Sequence, residues 1–278
     1  MPRHARGFDT EQAWDHLSRR DRKLGTWMKR IGYIEPQPTW RKPFDPVDAL
    51  ARAILYQQLS GKAAATIVGR VEAAIGSTRL HFDTLGRIDD AALRACGVSG
   101  NKTLALRDLA AREQRGEIPT LRQMSVMSED DIVAALVPIR GIGRWTVEMM
   151  LMFRLGRPDV LPIDDLGVRK GAQFVDRQEV MPTPKELLAR GEKWGPYRTY
   201  AAQYLWRIAD FGTEAKTALG LALPLHAVHA RDDQQENEAQ RHVDRIAGDG
   251  RERGVHFRLR RVGLHGIPAG EVARDAER

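Results

Sequence analysis

LVPIRGIGRWTVEMMLMFRLGRPDVLPIDDLGVRK, from Leu136 to Lys170, is the stretch whose reading decides the fold. It parses as a helix end, a glycine hairpin, an apolar helix, a proline-bearing loop and an acid pair opening another helix. Gly141 and Gly143 flank the apolar Ile142. Without a Cβ they accept unusual backbone angles and let a large flat partner approach the main chain. The helix that follows Gly143 offers free N–H groups and a positive dipole end, a setting for an anion such as phosphate. Asp164 and Asp165 stand at the next helix start, where the same dipole favours a carboxylate.

The segments on either side are helical as well. Ala13, Trp14 and Leu17 share one face of a helix over 10–19, and 24–31 repeats the spacing. Pro36, Pro38 and Pro43 then impose a loop, with Trp40 and Phe44 available to pack on the core. Asp45 and Pro46 form a cap and first helical residue for a helix running towards Tyr56, and Ser60-Gly61 marks its junction with the next. Between them, Gln57 and Gln58 read either as DNA contacts or as groups that satisfy backbone at a helix joint. Residues 87–113 pair two helices about GVSGNK, with Asp89 as a cap; Ser128 opens another helix, and Thr183, Pro184 and Glu186 make a capping box. No stretch alternates with period two. The expected fold is all-α, about ten helices in two lobes over residues 1–221. The helix 144–155 is so evenly apolar that it is expected at the centre of the core, with its methionines as packing.

Charge divides the chain unevenly. The net charge is +7, yet from Ala222 onward ten arginines balance ten acids, so the excess lies in residues 1–221. A basic helical part suits a polyanion such as nucleic acid. Residues 222–278 hold too little apolar matter to offset the ordering entropy and are expected to be a disordered tail. His226 and His229 lack further ligands nearby, so no metal site is expected there. A single cysteine, Cys96, excludes a disulfide framework, a four-cysteine iron–sulfur cluster and a cysteine-rich zinc site. No apolar run approaches the roughly 20 residues of a membrane span, and the first residues lack the apolar core of a secretory signal. A monomer in the cytoplasm, at the nucleoid or in a nucleus, with no membrane association, is the expectation.

Four blocks carry a family resemblance: ALARAILYQQLSGKAA, LRACGVSGNKTLALRDLA, the opening stretch, and KWGPYRTYAAQYLW. In that order they resemble the helix-hairpin-helix DNA glycosylase superfamily, in particular its 3-methyladenine DNA glycosylase II type, in the compact all-helical form. The resemblance implies a monofunctional enzyme of base excision repair, without a cofactor or catalytic metal. Such an enzyme flips alkylated purines out of double-stranded DNA and hydrolyses the N-glycosyl bond, leaving an abasic site. It implies that Asp165 is the essential carboxylate, with Asp164 a cap or support. Trp145 takes the place of the nucleophilic lysine of lyase-competent members.

The same resemblance, with the attraction of aromatic faces for a cationic ring, makes Trp145, Trp206, Tyr197 and Tyr56 the candidate base pocket. Gly141, Ile142, Gly143, Arg144, Thr146 and Lys170 are the candidate contacts to the DNA backbone. Related enzymes place a bulky residue near Gly100 to fill the gap left by the flipped base. Since glycine cannot wedge, Gln57, Ser60, Ser99 and Asn101 are the other candidates. Two alternatives stand beside this reading: a glycosylase for deaminated or etheno bases, and a non-catalytic binder that uses the hairpin for phosphate alone. A pure binder has no use for a carboxylate next to a phosphate grip.

Overall fold

A computed structural model describes residues 4–218, and the tail expected over 222–278 with its histidines lies outside the described residues. Among them there is no strand. The α-helices are α1 (Thr10–Arg20), α2 (Arg22–Ile31), α3 (Pro46–Tyr56), α4 (Gly61–Ile75), α5 (Phe82–Leu85), α6 (Asp90–Ala95), α7 (Gly100–Gln114), α8 (Leu121–Met124), α9 (Glu129–Leu136), α10 (Arg144–Met150), α11 (Leu166–Asp176), α12 (Pro184–Gly191) and α13 (Arg198–Ala218). The four-residue α5 and α8 are too short to show a 3.6-residue period, which is why the sequence suggests about ten helices.

Local chemistry sets the boundaries. Asp45 accepts from Val47 N and Asp48 N with Pro46 as the first helical residue, while Asp89, Ser128 and Thr183 cap α6, α9 and α12. The α1–α2 joint turns on Asp21, whose side chain caps α2 at Leu24 N.

The helices fall into two groups by what they pack against. In one, α13 packs on α11, α1 and α2; in the other, α7 packs on α3, α5 and α6, and α10 on α9. One continuous apolar core runs through both, from Leu17 and Met28 to Leu106, Val147 and Leu205. Within the first group α11 and α13 touch backbone to backbone: a Cβ on Gly171 would collide with Leu205 O. That closeness carries the start of α11 to the side of α13.

Between α10 and the loop to α11 the helix widens into a π turn, Leu151–Leu155, closed by Gly156 in the left-handed conformation. Its carbonyls point outward and are taken by the proline-rich loop: Trp40 Nε1 donates to Met152 O at 2.7 Å and Thr39 Oγ1 to Phe153 O at 2.7 Å. Trp40 is buried, as expected of an aromatic that pins this loop.

Candidate active site

The hairpin joins α9 to α10. Gly141 sits at φ +77°, where a side chain would be strained, and a Cβ there would also press on Ala105 of α7 at 3.2 Å. Ile142 is the buried anchor of the turn. Two neighbours clamp the hairpin backbone. From α7, Asp108 accepts from Arg140 N at 2.8 Å and Arg112 donates to Pro138 O at 3.0 Å. From the α3–α4 joint, Gln57 Nε2 donates to Gly141 O at 2.7 Å. Gln57 therefore ties the two loops together. It does satisfy backbone, but across the fold instead of at its own joint. Gly143 begins α10 in ordinary extended geometry with open space where a Cβ would stand, and it supplies no side-chain cap. Arg144 and Thr146, with the hairpin glycines, border this uncapped start.

Asp165 is the N-cap of α11, accepting from Val168 N at 2.8 Å. This corrects the expectation for Asp164, which is exposed and caps nothing. Two indoles converge on the same carboxylate: Trp145 Nε1 donates to Oδ2 at 2.7 Å and Trp206 Nε1 to Oδ1 at 2.8 Å. Trp206 comes from α13, reaches over Gly167, and stacks on Phe153 of the π turn, with ring centroids 5.8 Å apart and an interplanar angle of 29°. A Cβ at Gly167 would stand 2.8 Å from the Trp206 ring and 3.2 Å from Asp165, so the close approach requires glycine.

Trp145 is 51% exposed, so α10 is not buried on every side. It lines a cavity of about 770 Å³ together with Tyr56, Met149, Phe153, Ala49 and Ala53, while Asp48, Arg52 and Arg154 supply charge to its wall. An apolar wall facing a cavity and an apolar face in a core read alike in sequence. Tyr197 is not part of this wall. Its ring packs near Phe8 and His16, and its hydroxyl meets Gln12 at 3.4 Å. It precedes α13, and the nine residues from Tyr197 to Trp206 correspond to about 13 Å of helix. Lys170 bonds to Gln173 Oε1 at 2.8 Å and lies 5.2 Å from the Phe174 ring centre.

Of the other gap candidates, Asn101 is exposed in the first turn of α7. Ser60 and Ser99 cap α4 and α7, and Gly100 opens α7 beside Arg94. What the α3–α4 joint presents instead is Gln58, held at φ +55°, and Leu59, 39% exposed. A solvent-facing leucine among polar neighbours is the signal that would have found this tip. The half-buried Lys102 of α7 holds the joint by donating to Leu55 O at 2.9 Å and Gln57 O at 2.6 Å, and partial burial lowers its pKa.

One acid escaped the sequence reading. Glu148 is buried in α10, paired with Arg144 at 3.0 Å. Burial raises its pKa, Arg144 opposes the rise, and the charges of Asp164 and Asp165 add to it. A raised carboxyl favours the protonated fold. Stability therefore increases as pH falls through the folded-state pKa and stops gaining below the unfolded value. Glu148→Gln is expected to raise the thermal midpoint at pH 7, and to lose that advantage in melts at about pH 4.

A hairpin leading into an uncapped helix start, a carboxylate held one helix away and an aromatic cavity between α3 and α10, joined to that carboxylate through Trp145, define a helix-hairpin-helix protein built to act on a base drawn from DNA. Residues 51–196 match the HhH-GPD superfamily of base excision DNA repair proteins, and the chain belongs to that superfamily. It is similar to DNA-3-methyladenine glycosylase 1 of Schizosaccharomyces pombe, 38% identical over 70% of this chain and 87% of that protein. The solved structure of the S. pombe 3-methyladenine DNA glycosylase in complex with abasic DNA overlays with a TM-score of 0.61 at 36% identity, covering 70% of this chain and 95% of that one. A DNA-3-methyladenine glycosidase from Bacillus halodurans gives 0.66 at 33% identity over 77% and 95%.

Proposed function

We propose that the protein is a monofunctional DNA glycosylase that releases alkylated purines from duplex DNA by hydrolysis. The observation that carries this reading is the Asp165 carboxylate, held by two indole N–H groups and a backbone amide beside an aromatic cavity. A purine alkylated at N3 or N7 is cationic and departs as a neutral base. Its departure leaves positive charge on the sugar, which a fixed carboxylate stabilises while water attacks C1′ and loses a proton. Both Asp165 oxygens already accept hydrogen bonds, which fixes the direction the carboxylate faces.

Each neighbour has a part. Trp145, Tyr56 and Phe153 offer faces to the cationic ring, and Trp206 orients the carboxylate. The amides at the uncapped start of α10, Gly143 to Thr146, grip a phosphate of the flipped strand, and Leu59 with Gln58 fills the vacated stack. Lys170 adds positive charge near that phosphate. The protein acts as a monomer, and residues 222–278 contribute nothing to catalysis.

Methylated duplex incubated with the protein is expected to release 3-methyladenine and 7-methylguanine in a chromatographic assay. With Trp145 in place of a lysine, no strand is cut and borohydride traps no covalent complex. Failure to release either base removes the alkylpurine reading; release of deaminated or etheno bases alone favours the other lesion class, and a trapped adduct would overturn the monofunctional assignment.

A further inference from the structure

The cavity has a basic side that the hairpin does not account for. Arg154 lines it, and its guanidinium carbon stands 4.7 Å from the centre of the Phe44 ring; that of Arg6 stands 5.7 Å from the same ring. Arg6 also donates to Lys42 O, and to Arg154 O at 3.2 Å. Arg41 and Lys42 are exposed on the same loop. Among the described residues none of these four cations is ion-paired, whereas Arg52, on the same wall, is bound by both Asp48 and Glu72 at 2.8 Å. The Nε atoms of Arg6 and Arg154 are buried without a partner. Burial and the charge of Arg154 together lower the Arg6 pKa, the mark of like charges held close. The loop cannot simply swing away, because Thr39 and Trp40 tie it to the π turn.

Such a cluster needs an anion. A cationic purine in the cavity would be repelled by Arg154, so the base is not what neutralises it. Arg154 lies nine residues beyond Trp145, in the π turn at the Phe44 side of the cavity wall, apart from the hairpin's own phosphate site.

We infer that Arg6, Arg41, Lys42 and Arg154 form a second DNA-phosphate surface, on the Phe44 side of the base cavity, which holds the strand flanking the flipped nucleotide. The inference rests on the glycosylase reading for its ligand. Uncompensated charge then waits at the far end of the cavity, and the backbone of the flipped strand completes it.

The test is equilibrium binding, by fluorescence anisotropy over a series of KCl concentrations, to undamaged duplex and to duplex with a tetrahydrofuran abasic analogue. Arg41→Gln/Lys42→Gln is expected to lower the log–log salt slope by about 1.8, since each phosphate contact contributes about 0.9, and to weaken both duplexes alike. Arg154→Gln should lower the slope by about 0.9 and weaken the abasic duplex more than the undamaged one. Arg154→Lys keeps the charge and should keep the slope; if it fails as badly as glutamine, the effect is packing and the assignment of Arg154 falls. Lys185→Gln, remote from the patch, should behave as wild type. Wild-type slopes in both charge variants overturn the proposal. Base release from methylated DNA is measured separately: inactive wild type with altered slopes in the variants refutes the glycosylase reading and leaves the phosphate surface standing. Active wild type with unchanged slopes does the reverse.

Discussion

Asp165→Asn is expected to slow single-turnover release of 3-methyladenine by about 10²- to 10³-fold, the scale for removing one preorganised electrostatic stabiliser. Asparagine still caps α11 through its side-chain oxygen, so the helix start survives. What is lost is the charge beside the sugar, and the new amide must face one of two indole donors, a mismatch of about 1–3 kcal/mol. Binding to an abasic-analogue duplex should hold or tighten slightly, because a negative charge near the phosphate grip has gone. Asp164→Asn is the matched control. Its side chain is exposed and both indoles donate to Asp165 instead, so its rate should stay within a few-fold of wild type. Retention of activity within tenfold in Asp165→Asn would remove Asp165 from the chemistry, and equal losses in both variants would point to the general field of the acid pair.

The second large effect is on stability. Asp21 is buried at the α1–α2 joint, where it caps α2, accepts from Trp194 Nε1 at 2.8 Å and ion-pairs with Arg190, which also binds Asp176 at 2.7 Å. Asp21→Ala leaves the buried Trp194 indole without an acceptor and Arg190 with Asp176 as its remaining carboxylate, and should cost about 3 kcal/mol in urea unfolding. Lys23, which reaches Asp176 from the surface at 3.2 Å, is the contrast: Lys23→Met should cost less than about 1 kcal/mol. Burial opposes the Asp21 charge, but the hydrogen bonds from Arg190 and Trp194 outweigh it and hold its carboxyl below the usual range. The same balance applies to Asp176, with Arg190 and Lys23 as partners. Both folded-state values are depressed. Their contribution is thus full above the unfolded carboxyl pKa of about 4 and disappears as pH falls through the folded values, so the Asp21→Ala deficit should shrink in melts below about pH 4.

Sequence was most informative where chemistry is local. Capping by Asp45, Asp89, Ser128 and Thr183 involves neighbours two to four residues away, so the helix starts were legible. The hairpin showed through its glycines and the start of α11 through its acid pair, both local signals, while the part given to Asp165 came from the family resemblance. Contacts across the fold were not. Nothing near Gln57 announces Gly141, 84 residues on, and nothing near Trp145 announces that its indole N–H meets Asp165. Periodicity treated helix 144–155 as uniform core, although Trp145 faces a cavity and Glu148 is buried with Arg144 one turn away. Tyr197 was grouped with Trp206 by its place in one sequence block, while the length of α13 separates their neighbourhoods.

The π turn at Leu151–Leu155 is in effect one extra residue in the pitch of a helix. A residue added or removed there turns whatever follows by about 100° and shifts it by about 1.5 Å, while the hairpin before it keeps its place. The wall that carries Phe153 and Arg154 is thereby indexed separately from the hairpin that begins the same helix. Remodelling of the cavity for a wider or narrower guest can proceed at this point as a change of thread, leaving the grip on the DNA backbone where it is.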